Sequence, residues 1–421
     1  MNLVSKVGAA HGAKTAPAQS VSPAGLAILS RGFRPFFLGA GLWAVIGIAL
    51  WPLAFSGVIS VPTAFSLIDW HAHEMIFGYT EAVIAGFLFT AIPNWTGRLP
   101  VSGTPLAALA ALWIAGRMAI FFSAEIGRLA AAVVDVSFLL VFAAMIAREV
   151  IAGKNGRNAK VVWLVALLAG LNVAFHVEDA RTGFADYSAR GSLAVIVMLI
   201  LLVGGRVTPS FTNNWLAKTG AKERPAPFGK ADLAALALSA VALASWAAAP
   251  HLAATGVVTL AAGAANLWRL SRWQGAAARH DPLVLVLHVG YLFATLGFFV
   301  ACAHALVPET IPHAAGVHVW AIGAIGMMTL AVMSRATLGH TGRELKASKG
   351  TVFAYACVAS AAVGRFAMAL LPDHFWGLFA ITAGCWILAF AAFVAIYGPM
   401  LAGRAGKPPA RPPQGDRLRR P

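Results

Sequence analysis

Two histidines and a glutamate open one of the most apolar stretches of the chain, "DWHAHEMIFGYTEAVIAGF", which begins at Asp69. On a helix His71 and Glu74 are three residues apart and share a face, and Glu81 continues that stripe about two turns further on. Histidine is the commonest metal ligand. A carboxylate beside it either joins the metal or accepts the second ring N–H. A second run, "HVWAIGAIGMMTLAVMSRATLGHTGR", starts at His318. Four further groups join the candidates: His176 before "VEDA", His304 and His313, His288 in "LVLHVGY", and His340. Arg117 and Arg365 are guanidinium groups set within apolar segments, where they require an anion.

The elements that must position these groups are membrane helices. Of 421 residues, 59% are hydrophobic and 11% charged, against roughly a quarter charged in soluble domains. Apolar runs of about twenty residues recur, each long enough for a roughly 30 Å hydrocarbon core. They lie near 36–57, 71–92, 105–123, 129–147, 161–177, 191–208, 231–249, 251–268, 282–303, 313–334, 351–371 and 376–400. The expected fold is therefore all-α, a polytopic membrane bundle of about twelve spans within residues 31–402. Residues 1–30, rich in Ala, Ser and Pro, and 403–421, rich in Pro and Arg, read as disordered tails.

The net charge of +16 does not imply nucleic acid. Lys and Arg gather in alternate loops, for example Arg148 to Lys160, Arg206 to Lys230 and Arg335 to Lys349. The intervening loops are short or acidic, carrying Asp69, Glu125, Asp186, Glu309 and Asp373. By the positive-inside rule both termini are cytoplasmic and the opening histidines sit at the outer end of span 2. Cys302, Cys357 and Cys385 all fall inside spans and form no CxxC, so no disulfide framework or thiolate cluster is expected.

An internal repeat links spans 2 and 10. His73 and His318 are 245 positions apart, as are Gly78 and Gly323, and Thr96-Gly97-Arg98 and Thr341-Gly342-Arg343. Gly116-Arg117 in span 3 and Gly364-Arg365 in span 11 are 248 apart. Spans 1–4 and 9–12 thus read as a parallel duplication about an axis along the membrane normal, and spans 5–8 allow a 4+4+4 arrangement. Chance similarity between Gly/Ala-rich helices is the plainer alternative. If the blocks share an axis, His73 and His318 stand at equal depth and suit the two faces of a haem iron. Arg117 and Arg365 would pair with haem propionates, or else with a protein carboxylate such as Glu81 or Asp135. His71, Glu74 and His176 are candidate metal ligands. His288 and His340 form a candidate inner site with the Thr-Gly-Arg turns. His251 and His374 read as loop residues.

"GFRPFFL" at 32–38, "WHAHEMIFGY" at 70–79, "AIPNWTGR" at 91–98, "LHVGY" at 287–291 and "SRATLGHTGR" at 334–343 together resemble the NnrS family. The resemblance implies a bacterial inner-membrane protein of about twelve spans that holds haem b and copper. It also implies a part in the nitric oxide response and protection from nitrosative stress, without naming a reaction. The motif histidines His71, His73, His288, His318 and His340 match the family's pattern. The layout is also similar to the catalytic subunit of haem–copper oxidases and nitric oxide reductases. Here span 6 carries no histidine and no adjacent His-His pair exists, so their three-imidazole copper site is unsupported.

Two function classes follow. The first is a haem- and copper-binding membrane protein, enzymatic or not, with nitric oxide as ligand or substrate. The second is a secondary transporter of metal or small solute that uses the parallel repeat as an alternating-access scaffold.

Overall fold

The computed structural model describes residues 26–403, and among them every regular element is helical. Twelve long helices follow the expected spans in order: α1 Phe33–Phe55, α2 Leu67–Thr96, α3 Thr104–Phe121, α4 Arg128–Ala152, α5 Gly156–Thr182 and α6 Asp186–Lys218. Then come α7 Lys230–Ala248, α8 Ala253–Ser271, α9 Pro282–Leu306, α10 His313–His340, α11 Lys349–Leu370 and α12 Pro372–Ala402. The tails expected to be disordered lie outside the described residues, apart from a short 3-10 turn at Ala27–Leu29.

Eleven of the twelve are long and apolar enough to cross a membrane, so the chain is a multi-pass membrane protein. The exception is α8, which buries Thr255, Thr259, Asn266 and Arg269 on one face. Polar groups away from water must find partners inside the protein. Arg269 does so by donating to Asp232 of α7 at 3.1 Å and to the Tyr291 hydroxyl of α9 at 2.7 Å. Asn266 donates to Ser239 of α7 at 2.7 Å. The polar residues that lower the apolarity of α8 are the ones that fasten it to its neighbours.

The helices form three blocks of four, α1–α4, α5–α8 and α9–α12. At each seam the last helix of one block packs on the first of the next: α4 on α5, α8 on α9, and α12 on α1. The second helix of each block, α2, α6 and α10, lies inside and touches the other two. All three inner helices widen into a π-helical segment: Glu74–Thr80, Ile200–Gly204 and Val319–Gly326. The middle block therefore keeps this feature although it lacks the histidine, which favours the 4+4+4 arrangement. The Thr-Gly-Arg repeat also has a backbone meaning. Gly97 and Gly342 adopt φ of 70° and 73°, the left-handed stop that ends α2 and α10.

A π segment frees backbone carbonyls, which in an apolar bundle need donors. Trp113 of α3 donates its indole N–H to Gly78 O at 3.0 Å. Thr80 donates to Met75 O at 2.7 Å and Thr329 to Gly326 O at 3.0 Å. Between the three inner helices lies an apolar cavity of about 100 Å³, with Ile84, Phe87, Val203, Ile325 and Met328 in its wall. Among the described residues, Thr80 and Thr329 are the only side-chain hydroxyls that line it.

Candidate metal centre

Arg117 organises the end of the first block. Its Nη1 donates to both oxygens of Glu74 at 3.0 Å, and its Nη2 donates to Asp135 Oδ1. All three side chains are at most 3% exposed. The pairing needs room, and Gly78 supplies it: a Cβ there would stand 2.7 Å from Glu74 Oε2 and 2.9 Å from Arg117 Nη1. Of the two anions weighed for Arg117, the protein carboxylate is therefore the one seen.

The other oxygen of Asp135 is a convergence point. Oδ2 lies 3.1 Å from His73 Nε2 on α2 and 3.1 Å from His176 Nε2 on α5, and it accepts from Asn172 Nδ2 at 3.0 Å. One ligand atom from each of His73, Asp135 and His176 falls within a 4.8 Å cluster. Nδ1 of His73 lies 3.4 Å from Glu74 Oε1, the carboxylate–imidazole arrangement that orients metal-bound histidines. Phe65 stacks on the His73 ring at 5.7 Å, and Phe175 and Phe77 complete a dry wall. Glu81 is also fully enclosed, and its Oε1 has no hydrogen-bond partner.

The contacts of His73 differ from the expected pairing with His318. Both ring nitrogens of His73 face carboxylates of its own block. His318 turns its Nδ1 to Ala314 O at 2.8 Å and leaves Nε2 uncommitted. The charged and titratable groups acting on His318 are Arg365, His71 and His313. His71 in turn stacks on Trp51 of α1 at 4.5 Å, and its ring nitrogens make no hydrogen bond among the described residues. Arg365 is half-buried and forms no ion pair with any described carboxylate. His71 of α2, His318 of α10 and Arg365 of α11 are thus near enough to act on one another, and they offer imidazole nitrogens without a partner and one unneutralised guanidinium.

The expected inner site does not assemble. His288 pairs through Nε2 with the Thr212 hydroxyl of α6 at 2.8 Å. His340 instead packs on Phe33 of α1 at 5.5 Å. Each serves helix packing on its own side of the bundle, and no described metal-type group contains either.

Sequence reasoning treated Asp135 only as an anion for Arg117 and missed it as the point on which His73 and His176 converge. Its signal was present: a lone carboxylate in the apolar run "LAAAVVDVSFLLVFAA" is a functional candidate by default. Asn172, which fixes the same oxygen, left no such signal.

Fold and site together define a multi-pass helical membrane protein with a dry centre of two imidazoles and one carboxylate. The chain belongs to the NnrS family: residues 27–404 match the family described as NnrS protein. No curated protein matches the chain.

Proposed function

We propose that this protein binds copper and haem b in the bacterial inner membrane and takes part in the defence against nitric oxide. The observation that carries the reading is the convergence of His73 Nε2 and His176 Nε2 on Asp135 Oδ2, each at 3.1 Å. Two ligand atoms about 2.0–2.1 Å from one tetrahedral ion stand roughly 3.3 Å apart, so these atoms need little movement to share a metal. Imidazole and carboxylate donors suit copper. The charges favour occupancy as well, since Glu74 and Asp135 exceed Arg117 by one negative charge.

His73, Asp135 and His176 would hold the copper. Glu74 would keep the His73 ring oriented, and Arg117 would hold both carboxylates in place. Haem would take His71 of α2 and His318 of α10, where Arg365 of α11 offers a cation for a propionate. His318 already turns Nδ1 to a backbone carbonyl, as ligating histidines do. Bound haem would supply one-electron exchange, and bound copper an open position for a diatomic ligand. The protein's own part is to keep those groups dry and rigid: the aromatic wall around His73 excludes water.

The positive-inside charge pattern supports cytoplasmic termini and, with them, both centres toward the outer face. A transport pathway would need polar groups along the axis. The wall of the central cavity is apolar, and that argues against the transporter reading.

Metal analysis and a reduced-minus-oxidised optical spectrum of the purified protein test the proposal. His73→Ala and His176→Ala should each lose copper and keep the haem bands. His71→Ala and His318→Ala should lose the six-coordinate haem signature and keep copper. A colourless, copper-free wild-type protein expressed with both cofactors supplied overturns the reading.

A further inference from the structure

A second cluster of imidazoles lies at the α8–α9 seam. His251 precedes α8, His304 closes α9 and His313 opens α10. Ring centroids are 4.9 Å apart for His251 and His304, 5.2 Å for His304 and His313, and 6.4 Å for His251 and His313. No spacing joins His251 to the other two, because 53 residues separate it from His304. The fold brings them together by packing α8 against α9.

We infer that His251, His304 and His313 form a binding site for a second metal ion, separate from the Asp135 centre, and that the ion is Cu(I). Three observations support it. His304 Nδ1 donates to Ile311 O at 2.8 Å, which fixes the tautomer and leaves a lone pair on Nε2. That Nε2 accepts from His251 Nδ1 at 3.0 Å, close to the roughly 3.3 Å between two nitrogens on one tetrahedral ion, so an ion would take the place of the shared proton. His313 Nδ1 is buried with no hydrogen-bond partner; its ring nitrogens do not yet stand within 4.8 Å of both others, so the ring must turn on binding to bring this orphan atom to the ion. Trp246 supports the His313 ring from one side at 5.4 Å and 17°.

The donor set selects the ion. Three neutral imidazoles and no carboxylate suit Cu(I) or Zn(II), and they exclude Mg(II) and Ca(II), which take oxygen ligands. No carboxylate among the ligands offsets the ion's charge, and the charge of Arg190 also reaches His313. A monovalent ion is less penalised than a divalent one in such a place. His251 is exposed while His304 is 4% exposed, so an ion would enter by way of His251 and be held by His304.

The test is titration of the purified full chain with Cu(I), buffered by a chromogenic chelator, and with Zn(II) in a parallel arm. It is run on wild type, His251→Ala, His304→Ala, His73→Ala and the His73→Ala/His251→Ala pair. Expected is the loss of one Cu(I) per chain in His251→Ala and in His304→Ala, and of two ions in the pair. X-ray absorption of Cu(I)-loaded His73→Ala should show an all-nitrogen shell. His251 is exposed and its replacement leaves the bundle packed, so that variant reports even where His304→Ala does not fold. Unchanged Cu(I) uptake in His251→Ala overturns the inference, as does a site that takes Zn(II) and refuses Cu(I). If His73→Ala keeps full copper while His251→Ala loses it, the Asp135 reading fails alone.

Discussion

Gly116 faces Asp135 so closely that a Cβ at 116 would meet the Asp135 Cα and Oδ1 at 3.4 Å. Gly364 meets Thr382 in the same way in the third block, with a Cβ-to-Oγ1 distance of 2.9 Å. In each case the neighbouring arginine, Arg117 or Arg365, follows the glycine directly. One packing solution therefore serves two blocks, and the residue on the facing helix decides what the arginine does. Asp135 neutralises Arg117. Thr382 leaves Arg365 without an anion, and its own Oγ1 is buried with no partner.

Asp135→Asn should be destabilising, by about 1.5–3 kcal/mol, because Arg117 loses a charge-assisted hydrogen bond while Glu74 still neutralises it. The midpoint of detergent-solubilised thermal unfolding reads the loss. Copper content of whatever folds should fall to background, while Asn172→Ala should lose copper only in part.

The two arginines should part company when each is changed to Gln. Arg117→Gln breaks a buried ion pair and should cost about 3–5 kcal/mol of stability. Arg365→Gln removes an unneutralised charge and should leave stability equal or raised, while haem retention through gel filtration falls. Equal behaviour in both assays would refute the distinction.

Gly78→Ala should weaken the centre without touching a ligand. Its new methyl group would collide with Glu74, Trp43 and Arg117. Overpacking of this kind costs roughly 1–3 kcal/mol. Copper affinity and unfolding midpoint should both fall, and Gly170→Ala, at a helical glycine where nothing lies within 4 Å, serves as the handling control.

Replacing Arg269 by Met should disrupt the three-helix network of α7, α8 and α9. Asp232 would keep only the partly exposed Arg272 as a cation, at 3.3 Å. The expected outcome is a loss of about 3–5 kcal/mol with haem and copper contents unchanged in the folded fraction. Proteolysis should then cut first in the loops flanking α8.

The helices themselves were legible because hydrophobic runs and basic loops respond to the membrane directly. The repeat was legible because Gly97 and Gly342 end their helices by the same backbone device, and Gly78 and Gly323 both sit inside π segments. The direction of His73 was not. A π segment adds a residue to the turn and so rotates everything after it by about 100° relative to an ideal helix. Face arguments that ran from His71 through Glu74 to Glu81 crossed such a segment. Which neighbour His73 meets was decided by Asp135, Asn172 and His176 on other helices, and no spacing within α2 encodes them. The joining of His251 to His304 and His313 was hidden for the same reason.

The seal of α12 on α1 has a consequence for biogenesis. Domains generally emerge and fold N-terminal first during synthesis. The Asp135 centre needs only α2 to α5, so its ligands are all present when the first five helices have left the ribosome. His71 on α2 must wait for His318 on α10 and Arg365 on α11, as α1 waits for α12. A ribosome stalled after α9 would hold a nascent chain with the Asp135 cluster complete and His71 without its neighbours, and that would set the order in which the two proposed cofactors could be loaded.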